Sequence, residues 1–345
     1  MITVRSTSDA DLPTWQGFVD DMPGAGGLHH AGWYGVLREA YRVRPYFLMA
    51  TNDAGEVEGV LPAYHSTSLL TGSHISSLEG GVLARRTAAA TALIGHARAL
   101  CEQSGARYLQ IRGGVVNETG SITGPTVRTI VATDQSAERI WERMKQSGRR
   151  GVRKGEKERV SIEHDARLAG LEEFYWVYAA HMRALGTPVM GVDAFQAMRR
   201  HLGPDRLRLY LVRLREHVIG GMLLLVNSSQ WTSYFAAVHA AKDTEFANYT
   251  LYWHVLSEAA SLRIARMDLG RSTHGSTVHV FKKRWGGSDV EVPYHFYPAS
   301  GGRKGDMGLL KLKGGNMLPQ RIWSKLPLPI CNRLGPLLRK KLPFI

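Results

Sequence analysis

Asp268 to Gly286 reads DLGRSTHGSTVHVFKKRWG, and the fold assignment turns on this stretch. The apolar run Ile264 to Leu269 suits a short buried strand. Gly270 then allows a sharp backbone turn where a larger residue would be strained. Arg271, Ser272 and Thr273 follow as donors at the strand's carboxyl end, a common place for ligands in open α/β sheets. Phe281, Lys282, Lys283, Arg284 and Trp285 set cations beside aromatics. A lysine fixed next to an aromatic ring can stabilise an oxyanion. The same residues also describe a solvated basic face beside a buried Phe and a buried Trp. On spacing alone the second alternative is the simpler, because structural charge clusters are common.

Working outward, the chain shows two similar α/β arrangements. In the first half, Ile2 to Arg5 suits a strand, DADLPTWQGFVDD a capped helix, and HHAGWYGVLREAY a helix with Trp33, Leu37 and Tyr41 at helical spacing. Tyr46 to Thr51 and Val57 to Tyr64 read as strands joined by the turn NDAG. Ser76 to Leu83, the helix TAAATALIGHARALCEQ and the strand ARYLQIR complete that half. The second half repeats the order, with helices at Leu171 to Leu185 and Val192 to Leu202. The strands RLYLVRL, HVIGGMLLLV and QWTSYFAAV come next, then a helix from Tyr249 to Leu262 and the strand ending at Leu269. Gly80-Gly81 and Gly220-Gly221 are too short for phosphate cradles and suit strand packing.

Between the halves, Lys145, Arg149, Arg150, Arg153, Lys154, Lys157 and Arg159 form a basic segment. Gly148, Gly151 and Gly155 weaken a continuous helix there. A solvated connection is the simpler reading. Contact with phosphate is the other, since guanidinium groups match phosphate oxygens in pairs. The stacked aromatics of single-stranded RNA readers are missing from this segment.

Composition bounds the class. A length of 345 residues suggests about two domains, and 44% hydrophobic residues exclude global disorder. A net charge of +14 predicts attraction to polyanions, whether RNA, a phosphorylated carrier or an anionic leaflet. Cys101 and Cys331 are far apart and carry no ligand spacing, so neither a disulfide framework nor a metal site is expected and a reducing cytoplasm fits. MITVRSTSDADL lacks a secretory core, and no run approaches the roughly 20 apolar residues of a membrane span. There is no P-loop, dinucleotide fingerprint, paired-histidine metalloprotease motif or nucleophile elbow.

The segment GRSTHGSTVHVFKKRWG, with the Tyr-rich strand VEVPYHFY after it, resembles the late signature of the FemABX-like acyltransferases. It is most similar to the FemAB-related proteins that accompany PEP-CTERM and exosortase systems. RRGVRKGEKERV, FYWVYAAHMRALGTPV and FANYTLYWHVLSEAA extend the match from about Trp141 onward, and HHAGWYGVL and GVLPAYHS continue it more loosely upstream. The resemblance implies an α/β fold of two tandem GNAT-like domains with mixed sheets flanked by helices. The expected ranges are 1–140 and 141–300, with a basic amphipathic tail at 301–345. It implies acyl or aminoacyl transfer to an amine of a cell-envelope, peptidoglycan or exopolysaccharide precursor. Lys282 would stabilise charge, as the Phe-Lys match implies, with Phe281, Tyr249, Arg271 and Ser272 holding substrate. Arg183 resembles another cleft position, and Arg150, Arg153 and Lys154 become candidate phosphate contacts. Tyr249 and Arg183 equally suit helix packing and a plain surface position. His30 and Trp33 fit an early His-Trp segment, yet a lone His beside an aromatic is more often structural.

A GNAT acetyl-CoA loop is not recognisable in either half, which lowers acetyl-CoA as donor and leaves the aminoacyl-tRNA that the resemblance implies, or an unidentified acyl thioester, with no permanently bound cofactor. SSLEGG replaces a more aromatic family segment, so the acceptor stays open. The rival expectation is a non-catalytic GNAT-fold module binding RNA or a membrane surface. In the tail from Leu309, basic and apolar residues alternate without Asp or Glu. Pro327, Pro329, Pro336 and Pro343 predict short amphipathic pieces. Trp323, Leu326, Leu334, Leu337 and Leu338 would enter a headgroup boundary, while Lys325, Arg333, Arg339, Lys340 and Lys341 face anionic lipid on the inner membrane face. The alternative is that the apolar residues pack back onto the domains.

Overall fold

Continuous buried apolar runs build most strands of this computed structural model, which describes residues 1–68, 72–113, 121–239, 244–299 and 317–339. In chain order the first half holds β1 (Thr3–Ser6), α1 (Leu12–Asp21), α2 (Trp33–Val36), β2 (Arg44–Thr51), β3 (Val57–Ser68), β4 (Gly72–Glu79), β5 (Leu83–Ala84), α3 (Thr87–Gln103), β6 (Tyr108–Arg112) and β7 (Ser121–Ala132). The second half holds α4 (Ala137–Arg143), α5 (Gln146–Gly155), β8 (Val160–His164), α6 (Leu171–Ala184), α7 (Val192–His201), α8 (Gly203–Arg206), β9 (Leu207–Leu214), β10 (His217–Val226) and β11 (Gln230–Val238). It closes with α9 (Ala247–Ser261), β12 (Arg266–Thr273), α10 (Thr277–Lys282), β13 (Ser288–Pro298), α11 (Met317–Lys325) and α12 (Leu328–Arg339). Pro13 sits in the first turn of α1, where a missing amide proton breaks no helical bond. The expected helix through Tyr41 is α2 followed by a π turn over Leu37–Tyr41, and it stops at Arg42 in the left-handed region at φ 53°.

The compact units are interleaved, unlike the consecutive ranges 1–140 and 141–300. Unit 1 comprises Met1–Gly124, Arg183–His201 and Pro293–Ile345, and unit 2 comprises Pro125–Met182 and Leu202–Val292. Unit 1 orders its strands β1-β2-β3-β4-β6-β13, and unit 2 orders them β8-β9-β10-β11-β12-β7. In each, the single parallel pair, β4 with β6 or β11 with β12, follows a helical crossover through α3 or α9. The duplication expected from element order is therefore a duplication of strand pairing. What the linear reading could not show is the exchange of sixth strands: unit 1 takes its own from the far end of β13, and unit 2 takes its own from β7.

Each core follows from helix period meeting strand period. On α3, Ala89, Leu93, Ala97 and Cys101 recur every fourth residue and are buried with Leu48, Leu61 and Ile75 of the unit 1 strands. Burial pushes the Cys101 thiol up to about 11. On α9, Leu251, Val255 and Ala259 do the same against Met222, Leu224 and Met267 of unit 2. Burying one such large side chain contributes roughly 1.5–3 kcal/mol. The paired glycines serve strand packing: a Cβ on Gly221 would lie 2.5 Å from the Tyr210 carbonyl oxygen.

Unit 1 also buries His29, which is 2% exposed. Its carbonyl accepts from Trp15 Nε1 at 2.7 Å, and its Nδ1 accepts from the Gly26 amide at 3.0 Å. Desolvation pushes the imidazole down to about 4. The unfolded chain binds the proton near the ordinary value of 6.5, so native stability is complete above that pH and is lost as pH falls toward 4. The expected loss at pH 4 is about 3 kcal/mol. Urea unfolding at pH 7 and pH 4 should show a steeper acid loss for wild type than for His29→Asn. Equal slopes would remove His29 as the cause.

The tail is folded where it is described. Gly186, at φ +72°, faces the Gln320 backbone, a Cβ on Gly335 would lie 3.0 Å from the Val189 carbonyl oxygen, and Trp323 and Cys331 are buried. Trp323 is thus a packing residue, contrary to its expected place in a lipid boundary. Pro336 does not end a helix but lies inside α12. Leu309 to 316, Lys340, Lys341 and Pro343 lie outside the described residues. Among the described residues, no helix is long and apolar enough to cross a membrane.

Candidate functional site

Lys282 comes from α10, which Ser276 caps by accepting from the His279 amide at 3.2 Å. Its side chain is buried, 5% exposed, and Nζ donates to the carbonyl oxygens of Gly270 at 2.9 Å and Arg271 at 2.8 Å. Those carbonyls are presented by a bulge. Gly270 does not end the strand as expected; β12 runs on to Thr273, and its register with β7 slips between Asp268 and Arg271. Gly270 takes φ +79°, and a Cβ there would lie 2.8 Å from the Ser233 carbonyl oxygen, so only glycine fits. Asp268, 1% exposed, accepts from the Gly270 amide at 2.7 Å and pairs with the Arg128 guanidinium.

Arg271 and Ser272 lie on the same strand beyond the bulge, paired with Arg128 and Val127 of β7. Ser272 is 8% exposed, and its Oγ has no hydrogen-bond partner among the described residues. A buried hydroxyl in that state costs free energy unless something else satisfies it.

Phe281 packs edge-on against Tyr249 at 5.2 Å and Tyr252 at 5.1 Å, while Trp285 stacks on Tyr252 at 5.6 Å. Burial pushes the Tyr252 hydroxyl up to about 12. Tyr249 uses its apolar body and its polar tip together: its ring lies over Gly151, and its hydroxyl accepts from the Arg284 guanidinium. This contact explains the glycines of the basic segment. The segment is helix α5, and Gly148, Gly151 and Gly155 form the stripe that approaches its neighbours. A Cβ on Gly151 would lie 2.4 Å from the Tyr249 ring, and one on Gly155 would lie 2.3 Å from Thr250 Oγ1. The glycines are a packing face, at the cost of some helix propensity.

The opposite face of α5 exposes Arg150, Arg153 and Lys154. Arg153 sits 5.6 Å from the Trp141 ring and Lys154 4.7 Å from the Phe246 ring, so folding supplies the aromatics that the linear segment lacks. Arg149 turns inward and donates to the carbonyls of Trp141, Glu142 and Met144.

Arg183 belongs to unit 1, whereas Lys282, Phe281, Tyr249, Arg271, Ser272, Arg150, Arg153 and Lys154 belong to unit 2. Arg183 Nε donates to the Leu326 carbonyl at 2.6 Å and so holds the turn between α11 and α12. His30 is fully buried, with Nδ1 3.2 Å from Gln16 Nε2, and Trp33 Nε1 donates to the Gly27 carbonyl, so both serve packing.

Sequence reasoning missed two supports of the lysine. One is the Asp268–Arg128 pair, concealed in an apolar run. The other is His279 with Asp289. The ligand atoms of His274, His279 and Asp289 all lie within 4.8 Å of one another, which is metal-like spacing. The hydrogen bonds argue otherwise. The Gly275 amide donates to His279 Nδ1 at 2.9 Å, which puts the ring proton on Nε2, facing Asp289 at 3.0 Å. Lys283 Nζ already lies 3.3 Å from the same carboxylate oxygen. Burial would raise the Asp289 carboxyl, but hydrogen bonds from His279, Lys283 and Thr129 outweigh it and hold it below the usual carboxylate range. The cluster therefore ties α10 to β13. The Ser276-x-x-His279 spacing was its only linear signal.

Residues 124–283, which contain every element of this site up to Lys283, match the family model of the acetyltransferase (GNAT) domain. No curated protein matches the chain in sequence. Among solved structures, FemX is similar with a TM-score of 0.67 at 14% identity, over 90% of this chain and 99% of that one. The C-terminal DUF2156 domain of a candidate lysylphosphatidylglycerol synthetase from Agrobacterium fabrum is similar with a TM-score of 0.61 at 9% identity, over 89% and 96% of the two chains. A tandem GNAT protein from the clavulanic acid biosynthesis pathway is similar with a TM-score of 0.51 at 11% identity, over 87% and 99%.

Proposed function

From the premise that this chain has a FemABX-like tandem GNAT fold, we propose that it is an N-acyltransferase moving an acyl or aminoacyl group to an amine of a cell-envelope or exopolysaccharide precursor. The observation that carries this is the buried Lys282 ammonium, clamped on the bulge of β12, the strand that also bears Ser272. In such a transfer the neutral amine nitrogen attacks the donor carbonyl carbon. The new C–N bond forms, the donor's C–O or C–S bond breaks, and the amine proton leaves with the departing oxygen or sulfur. Charge develops on the carbonyl oxygen, and a fixed cation in a dry site stabilises it without reorganisation. Lys282 supplies that cation. Ser272 and Arg271 orient the substrate, and a bound polar group would satisfy the Ser272 hydroxyl. Tyr249 and Phe281 shape the wall.

The donor we favour is aminoacyl-tRNA or an acyl thioester, with α5 offering Arg150, Arg153 and Lys154 to phosphate. The name of one structural neighbour refers to a lysyl-bearing phospholipid, which favours an aminoacyl donor and an envelope acceptor. The setting that fits is the cytoplasm, with the acceptor a phosphorylated envelope precursor. The exosortase-associated branch belongs to the same reading.

A donor screen tests it. The purified full chain is offered charged tRNAs, then acyl thioesters, each with amine-bearing envelope precursors, and acceptor mass is measured. One donor class should add its acyl mass. Unchanged acceptor mass with every donor, alongside salt-dependent RNA binding, would replace the enzyme by a binding module that uses the α5 cations.

A further inference from the structure

The helix α12 is amphipathic in an unusual sense, because both of its faces are apolar. One face carries Cys331 and Gly335, four residues apart, and is buried, with Gly335 against the Val189 backbone. The other carries Ile330, Leu334, Leu337 and Leu338 at the i, i+4, i+7, i+8 spacing of one helical stripe, with exposures of 42%, 42%, 62% and 39%. Exposed Arg333 flanks that stripe, and Arg339, on the row of Cys331 and Gly335, closes the helix. On α11, Ile322 is exposed between Arg321 and Lys325, while Trp323 beside it is buried. No Asp or Glu occurs anywhere from residue 307 to the end of the chain. Packing on unit 1 has thus satisfied one side of the tail and left a wet apolar stripe edged by cations.

We propose that this outer face of α11 and α12 is a docking surface for an anionic lipid bilayer, lying in the plane of the headgroups. Isoleucine and leucine side chains would enter the boundary between headgroups and acyl chains, and the exposed Arg321, Lys325 and Arg333 would meet lipid phosphates. Charge decides between this occupant and a second copy of the chain. A symmetric self-contact would set the same cations against one another with no carboxylate on either helix to offset them, whereas an anionic leaflet complements all of them. The buried inner face keeps the helices folded before they meet lipid, so the surface is preformed. The proposal does not rest on the transfer reading, because membrane association requires no turnover.

The test is sedimentation of the full chain with vesicles of phosphatidylcholine alone and of phosphatidylcholine with about 30% phosphatidylglycerol. Wild type should partition onto the anionic vesicles, less so in high salt, and weakly onto the neutral ones. Leu334→Asp with Leu337→Asp should lower partitioning at least about tenfold, and Arg321→Glu with Arg333→Glu should remove the preference for phosphatidylglycerol. All four residues are exposed, so thermal melts of both variants should match wild type. The proposal is overturned if wild type does not sediment with anionic vesicles, or if the aspartate variant sediments equally well. It is also overturned if wild type is a dimer that the aspartate variant splits into monomers, which would assign the face to a second copy.

Discussion

Lys282→Met should lower transfer by about 100- to 1,000-fold, the loss typical of removing one preorganised donor from an oxyanion site. The structure adds a second consequence. Nζ holds the carbonyls of Gly270 and Arg271, and a thioether cannot donate to either. Leaving buried acceptors unpaired costs about 1–3 kcal/mol each, so the variant should also melt earlier. The two effects separate when turnover is scored per folded molecule at a temperature well below both melts, with the donor and acceptor found by mass change. Lys282→Arg keeps the charge but changes its shape and reach, and should recover stability more than rate. A folded Lys282→Met protein that turns over at the wild-type rate would end the assignment of Lys282 to charge stabilisation.

Asp268→Asn should be the most destabilising change at the site that touches no proposed substrate contact. The carboxylate is 1% exposed, pairs with Arg128 and fixes the Gly270 amide. Breaking a buried ion pair from one side costs about 3–5 kcal/mol, because the remaining charge loses its compensation. The Arg128 side chain keeps 21% exposure, which places the expected loss near the lower limit, about 3 kcal/mol. Replacing both partners, with Arg128→Met added to Asp268→Asn, should restore much of it, since no unpaired charge remains. Urea unfolding of the four proteins in this cycle measures the coupling. A single-variant loss below about 0.5 kcal/mol would mean that the bulge is held by its backbone geometry alone.

Local elements and their repetition were legible along the chain. Period-four burial on α3 and α9 and the short apolar runs of β10 and β11 are local signals, and the expected strands HVIGGMLLLV and QWTSYFAAV coincide with β10 (His217–Val226) and β11 (Gln230–Val238). The Phe-Lys-x-x-Trp order around Lys282 was legible in the same way, because its residues lie within one short helix and the turn after it. What those residues meet depends on strand pairing and packing between segments remote in the chain. Strand exchange pairs residues that are remote in the chain, so a boundary drawn along the sequence could not find the units. Gly270 looked like the end of a strand because a bulge and a turn ask for the same backbone freedom, and only pairing with β7 tells them apart. The α5 glycines looked like helix breakers because propensity is a local quantity, while their purpose lies in the Tyr249 ring and Thr250 packed against them. Asp268 was hidden because a buried carboxylate in an apolar run is tolerable only with a cation beside it, and its partner, Arg128, lies on another strand.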